Sequence, residues 1–353
     1  MHSGASRLAS AAAIPLGALL ASALLFGLIV ASIGNDPVEV YRLIYVGGFG
    51  SWFSWQNTLQ RVTPLLLTAL CAALPAQVGL AVIGGEGAFV MGGLAGAAAA
   101  RAADGMPGSF DIAAMATAGM LAGSVLTGLV GFLRVRRHVN ETISSLLVNY
   151  LAIAVFNQLI EGPLRDPSDV NRASTFPIPD VAAIGRIGSS TIGWGLVVGV
   201  LACVVAWLVF FRTTTGFAMR AAGGNAKAAR MFGIPVDRLV VGACMWGGAA
   251  AGLAGSIEVA SVYGRANASL VAGYGFSGVL ISFIARHNPL LVIPAAILFG
   301  GIAASGGLLQ RRLDLPDAAV MVLQGCTFLL VLMAETMRGR RWRHAPVLRT
   351  TDR

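Results

Sequence analysis

The feature that most constrains this chain is the recurrence of uncharged apolar runs about as long as a bilayer is thick. A hydrocarbon core of about 30 Å takes about 20 apolar residues per helix. The run from Ala11 to Ile33 has that length and stands behind one basic residue, Arg7. Nine further segments follow, near 62–79, 87–103, 111–133, 142–160, 190–211, 236–262, 274–285, 289–306 and 317–337, with the first near 13–34. Because the first run is one of many alike, it reads as a retained helix and not as a cleaved signal peptide. Composition agrees: 56% of residues are hydrophobic and 12% charged, against about 25% charged in soluble domains, and mean hydropathy is +0.76. The expected fold class is all-α, a polytopic membrane protein of about ten transmembrane segments forming one domain across 1–353. Segment 274–285 is too short to span comfortably. With the neighbour that follows RHNP at 286–289, it is expected to be broken or re-entrant, an arrangement tolerated where the backbone lines a cavity or packs on protein.

Basic residues orient the chain, since cytoplasmic loops carry the excess of Lys and Arg. With the N-terminus inside, 16 of the 25 basic residues fall on inside segments, among them Arg134, Arg136, Arg137, Arg212, Arg220, Lys227 and Arg230. Both termini are therefore expected in the cytoplasm, with 212–238 an inside loop and 161–189 an outside one. Arg311 and Arg312 fall on the wrong side in this scheme. The net charge of +9 then needs no nucleic-acid partner; it is arginine facing anionic membrane lipid or a protein. The outside stretch EGPLRDPSDVNRASTFPIPD at 161–180 has four prolines and no apolar period, which suits an external cap.

Catalytic machinery is missing from the pattern. The chain carries no GxxxxGK[ST] phosphate loop, no HExxH and no GxSxG. His2, His138, His287 and His344 are dispersed. Cys71, Cys203, Cys244 and Cys326 lie in apolar runs without metal-binding spacing and read as packing residues. Neither catalytic nor metal-ligating residues are expected, nor any cofactor. Gly92/Gly96, Gly119/Gly123 and Gly248/Gly252, each at four-residue spacing, suit close helix contacts.

What remains is a sparse polar set inside apolar surroundings. Glu86, in GGEGAF at 84–89 with Phe89, reads either as a cavity-facing carboxylate in a broken element or as a carboxylate at the start of the next helix. Asn149 and Tyr150 lie beyond Ser144 and Ser145 in ETISSLLVNYLA; a path-facing stripe and interhelical hydrogen bonding both fit. Glu258 stands near the outer end of its helix. In GYGFSG at 273–278, Tyr274, Phe276 and Ser277 sit among three glycines, either as aromatic faces for a ring-shaped solute or as interfacial residues at a helix start.

The inside loop contains AAGGNAKAARMFGIP at 221–235, with Lys227, the only lysine of the chain. Gly223 and Gly224 end what precedes, Asn225 is a good N-cap, AKAARMF follows, Gly233 is a C′ glycine and Pro235 blocks continuation. The spacing predicts a two-turn helix too short to hold alone in water. Ala228, Ala229, Met231 and Phe232 offer it a small apolar contact beside Lys227 and Arg230. A solvated basic loop obeying the orientation rule is the other reading.

These stretches, with TPLLLTAL at 63–70, GGEGAFVMGGLAG at 84–96, NETISSLLVNYLA at 140–152, GGAAAGLAGSIEV at 247–259, GYGFSGVLISFIARHNP at 273–289 and DAAVMVLQG at 317–325, carry a likeness from about residue 60 onward. The chain resembles the permease subunits of bacterial ABC importers that serve branched-chain amino acids, ribose-type sugars and nucleosides, and is most similar to the nucleoside or simple-sugar branch. The resemblance implies a plasma (inner) membrane permease pairing with a second homologous permease subunit. It implies also a cytoplasmic ABC ATPase that binds the ATP, and an extracytoplasmic solute-binding protein or lipoprotein. It implies that Gly224, Asn225, Lys227, Ala228, Arg230, Phe232 and Gly233 couple to the ATPase, and that Glu86, Phe89, Asn149, Tyr274, Phe276 and Ser277 belong to the translocation pathway of a nucleoside-like solute. A simple-sugar permease and an ion-coupled secondary transporter are the alternatives. The chain departs from the family at Ala88, where a polar Gln is usual.

Overall fold

The computed structural model describes residues 4–103, 108–169, 173–179, 182–188, 190–316 and 318–343. His2, His344, parts of the 161–189 loop and the end of the arginine-rich tail lie outside the described residues. The described chain is helical, with only isolated bridges in place of strands. Its α-helices are α1 (Gly4–Ser32), α2 (Pro37–Phe49), α3 (Trp52–Ala76), α4 (Gly85–Ala102), α5 (Gly108–Arg137), α6 (Glu141–Glu161) and α7 (Gly195–Arg212). There follow α8 (Thr214–Gly224), α9 (Ala226–Met231), α10 (Val236–Glu258), α11 (Tyr274–Ile284), α12 (Pro289–Leu313) and α13 (Ala318–Arg343).

Every expected segment corresponds to a helix, but fewer than ten of these helices are long and apolar enough to span by themselves. Among the described residues six helices, α3, α5, α6, α7, α10 with its π-helical extension to Tyr263, and α12, are long and apolar enough to cross a membrane, and a seventh span counts if Gly17–Ser32 and Pro37–Phe49 are one element bent by 118°. The chain is a multi-pass membrane protein. Two helices lie outside the expected segments. α2 carries Glu39 and Arg42, and α8 lies in the basic loop, where its N-cap Thr213 accepts from the Gly216 amide. α3 begins ten residues before the expected 62 because its polar first turns are used inside the protein: Thr58 Oγ1 donates to the Gly48 carbonyl at 2.7 Å, and Gln56 Oε1 accepts from the Thr191 amide and hydroxyl. Arg311 and Arg312, misplaced by the orientation count, fall in the last turn of α12, where cations meet the negative helix end favourably.

The chain divides into two compact units, 47–304 and a smaller one of 1–46 with 305–353. In the smaller unit α1 packs on α13, Thr327 donating to the Ser22 hydroxyl at 3.0 Å, and Tyr41 turns its ring against Phe26 and its hydroxyl to the Ala23 carbonyl.

The larger unit is built on glycine. α4, α5 and α10 cross where a side chain on any of them would collide with backbone. A Cβ at Gly92 would overlap the backbone of Gly252, one at Gly123 the carbonyl of Gly248, and one at Gly252 the carbonyl of Gly119. Contact this close is what small residues permit in an apolar solvent that offers no hydrophobic drive between helices. Two hydroxyls sit in the seam. Thr127 donates to the Cys244 carbonyl at 2.7 Å, and Ser256 Oγ stands 3.2 Å from the Gly92 carbonyl and 3.1 Å from that of Met115. The three spaced glycine pairs are packing contacts, as the sequence suggests. Cys71, Cys203 and Cys244 are free and buried.

The 161–188 segment is pinned to the turn that follows α10. Ser174 bridges antiparallel to Asn267, and Thr175 and Ile178 amides donate to the Ala266 and Gly264 carbonyls at 2.9 and 2.8 Å. Arg265 pairs with Asp169 at 3.0 Å, and Arg101 lies over the Phe176 ring at 3.6 Å. Ser168 donates its hydroxyl and amide to Asp166 Oδ1 at 2.6 and 2.9 Å, which, with Arg265 and Arg101 nearby, holds that carboxyl below its usual range. Its contribution is complete above the ordinary carboxylate value of about 3.9 and is lost only as pH falls through the lower folded value.

The glycine seam yields a paired test on α10. Gly252→Ala is expected to cost about 1–3 kcal/mol by overpacking, whereas Gly242→Ala, whose Cβ would meet nothing within 4 Å, should be neutral or stabilising by up to about 1 kcal/mol through helix propensity. Thermal unfolding of the detergent-purified chain measures both.

Candidate functional site

Two interrupted helices meet at their N-terminal ends inside the larger unit. α11 has 11 residues, about 16 Å at 1.5 Å per residue, half the thickness of a bilayer core. α4 starts at Gly85 after an irregular passage from the end of α3. Each start exposes backbone N–H groups that no intrahelical carbonyl reaches, a serious cost away from water.

Glu86 answers this for α11. Its Oε1 accepts the Gly273 amide at 2.7 Å and its Oε2 the Gly275 amide at 2.5 Å, and its side chain is fully buried. The carboxylate is thus in the first turn of α4 and at the mouth of α11, next to the positive ends of both helices. The two glycines are required by geometry. Gly273 has φ +80°, and a Cβ at Gly275 would overlap the backbone nitrogen of Glu86. Thr68 of α3 completes the mooring, donating to the Tyr274 carbonyl at 3.0 Å.

The start of α4 is held from the other side by α6. Asn149 Oδ1 accepts the Gly87 amide at 2.6 Å, Ser145 Oγ accepts the Ile83 amide at 3.1 Å, and Thr142 donates to the Ala81 carbonyl at 3.0 Å. Of the two readings left open for this stripe, interhelical hydrogen bonding is the one the geometry displays. Asn149 Nδ2 is buried without a partner among the described residues. Tyr150, the next residue along α6, is exposed.

The residues expected along a pathway therefore divide. Glu86, Phe89, Asn149 and Tyr274 are buried together, the Phe89 and Tyr274 rings 5.7 Å apart. Phe276, on the other side of α11, is exposed, and Ser277 is half-buried. Ala88 is buried against Cys71 and Ala251, so the position where the family usually has Gln is here a packed apolar contact. Glu258 is buried near the Tyr263 and Tyr274 rings. Thr68 and the amides of Gly273 and Gly275 went unrecognised in the sequence. The GYG spacing is a signal for them, since alternate glycines at a helix start mark close backbone approach.

The basic loop folds as its caps suggest. Asn225 Oδ1 accepts the Lys227 and Ala228 amides, both at 3.1 Å, α9 runs Ala226–Met231, and Gly233 has φ +78° with its amide donating to the Arg230 carbonyl. Support comes partly from this chain: Ala229 is buried, α8 abuts α9, and a Cβ at Gly223 would strike the Gln77 carbonyl. Arg230 is paired with Asp237 at 2.6 Å. Met231 and Phe232 are left 88% and 86% exposed, a large apolar pair in a polar loop. On the same flank as Gln77, which donates to the His287 carbonyl at 2.8 Å, burial pushes the His287 imidazole down to about 4 and keeps it neutral; its Nδ1 is 2.9 Å from Ser282 Oγ.

Replacing Glu86 tests the mooring. Glu86→Gln turns an N–H donor toward another donor, and Glu86→Ala orphans two amides, each costing about 1–3 kcal/mol. Both are expected to lower the melting temperature, Glu86→Ala more than Glu86→Gln, while Phe276→Ala leaves it unchanged. Scanning fluorimetry in detergent reads the order.

Comparison with known proteins places this geometry. The family model described as the branched-chain amino acid transport system / permease component matches residues 54–332. The chain is similar to a glucose ABC transporter permease of Haloferax volcanii, at 29% identity over 93% of this chain and 88% of that one. It is similar also to a guanosine ABC transporter permease of Bacillus subtilis, at 26% over 92% and 94%. A nucleoside ABC transporter permease of Lactococcus lactis is 27% identical over 91% and 92%. With most of its length matched, the chain belongs to the permease-component family of branched-chain amino acid transport systems, and is a membrane transport component of the ABC class, not an enzyme.

Proposed function

We propose that this chain is one transmembrane subunit of an ATP-driven importer that moves a nucleoside-like solute across a bacterial plasma membrane. An extracytoplasmic binding protein or lipoprotein delivers the solute to a cavity between this subunit and a second homologous permease. A cytoplasmic ABC ATPase binds the ATP and drives alternating access. Both termini and the 212–238 loop lie on the ATPase side.

The observation that carries this reading is the exposed Met231–Phe232 pair at the end of α9. A two-turn helix capped by Asn225 and closed by Gly233 is rigid enough to transmit force, and its apolar tip suits a groove on a partner protein. Gly224, Asn225 and Gly233 shape the element, and Lys227 and Ala228 lie in its first turn. Arg230 acts within the chain through Asp237, so Phe232 is the anchor toward the ATPase and Arg230 holds the loop's posture. Motion at α9 passes through α8 and α10, both of which it touches, toward the α4–α11 junction. Phe276 and Ser277 are offered to the solute. Glu86, Phe89, Asn149 and Tyr274 shape the pathway wall from behind.

The nucleoside assignment is supported by the guanosine and nucleoside transport named for two of the relatives and by the aromatic face of Phe276. A simple sugar is the second reading, favoured by the glucose transport named for another relative. Ion-coupled transport finds no free relay carboxylate at Glu86, whose two oxygens are both occupied by backbone amides.

Met231→Ser with Phe232→Ser is expected to weaken ATPase association at least about tenfold, the equivalent of about 1.4 kcal/mol, and to abolish uptake with membrane insertion unchanged. Co-purification with the ATPase and uptake in proteoliposomes check it, and undiminished association would overturn the coupling role. Competition of labelled guanosine uptake by unlabelled nucleosides against glucose and ribose separates the two solute readings.

A further inference from the structure

One apolar groove of the chain belongs to neither the α4–α11 junction nor the α9 tip. It lies between α3, α7 and α10, with α8 across one end, and holds about 440 Å³. Along α7 it is lined from Ala202 to Thr213, about 16 Å at 1.5 Å per residue, so it is a slot parallel to the helices. Its floor is Leu67 and Leu70, both buried, and its flanks are kept open by small residues such as Ala206 and Ala250. Val205 and Trp246, 51% and 68% exposed, stand on its rim. Apolar exposed rims on spanning helices are surfaces that meet acyl chains.

One end differs. Where α7 passes into α8, the lining changes to Thr213 and Thr215, and two arginines flank it. Arg212 is exposed, with its guanidinium 5.6 Å from the Trp207 ring centre, a pairing suited to headgroup depth. Arg220 donates to the carbonyl of Phe210, itself a wall residue, and lies over the Phe211 ring. Among the described residues no acidic side chain is paired with either arginine. A slot that is long, narrow and apolar, ending in unneutralised guanidinium groups, fits a tail with an anionic head, and a compact polar solute would find no partner along its walls.

We propose that this groove holds one acyl chain of an anionic phospholipid, with the phosphate at Arg212 and Arg220. Basic pockets between spanning helices on the arginine-rich side of a membrane bind such headgroups. Because α8 closes the charged end and leads directly into α9, the bound lipid braces the coupling loop against α7 and α10. The site does not depend on which solute the permease carries.

The test is native mass spectrometry of the full-length chain in detergent, after equilibration with phosphatidylglycerol or phosphatidylcholine. The expected result is one phosphatidylglycerol retained per chain, at least tenfold in preference to phosphatidylcholine. Ala206→Phe fills the slot and is expected to abolish retention; Ala250→Phe fills it from the opposite wall should the first variant fail to fold, as judged by its melting temperature. Arg212→Gln is expected to reduce the preference for phosphatidylglycerol. Equal retention of the two lipids by the unaltered chain, undiminished retention in a folded slot-filled variant, or disulfide capture of a second protein chain at Trp246→Cys would each overturn the proposal. Retention is read without transport, so its failure and the failure of the importer assignment are separable.

Discussion

A broken helix in a bilayer must satisfy its own backbone, because no water reaches the orphaned amides. In this protein that demand is met at one junction, where the Glu86 carboxylate accepts from both Gly273 and Gly275. Without it, two amides at the start of the short α11 would lose their acceptor. The junction is reinforced from α3 by Thr68 and from α6 by Asn149 and Ser145. Four helices are thus tied to two helix starts through polar contacts at most 3.1 Å long. The irregular backbone at the two helix starts is thus buried in protein, the condition under which it is tolerated at membrane depth.

The junction is held in a rigid frame. The contact of α4, α5 and α10 through Gly92, Gly119, Gly123, Gly248 and Gly252 removes side chains from the interface altogether, so these helices have little freedom to slide. α10 carries this rigidity from the α9 region at its N-terminal end to the pinned 161–188 segment beyond its C-terminal end.

Much of this was legible from residues alone. Apolar runs located the helices, four-residue glycine spacing marked the close crossings, and Asn225 with Gly233 bounded α9 within a residue. Other parts were hidden by the same rules. The polar first turns of α3 look like loop because Gln56 and Thr58 have partners, Thr191 and Gly48, that only folding brings near. α8 carries little apolar surface, and α2, though apolar, has only 13 residues, too few to read as a span. The pairing of Arg230 with Asp237 across one short loop is likewise not marked by any spacing in the sequence.

Composition and periodicity by themselves determined that this chain is helical, lives in a membrane and lacks catalytic or nucleotide-binding motifs, because hydrophobic length and residue type are local properties. Motif order likewise pointed to the permease family. Tertiary structure alone showed what neither reading of Glu86 held: its carboxylate accepts amides at the start of a helix nearly two hundred residues away in sequence. It alone likewise opened the slot beside α7 and exposed Phe232. The reason is physical. Whether a polar group is spent on the backbone or left for a ligand depends on which distant amides fold to within 3 Å of it, and spacing along one chain carries no record of that distance.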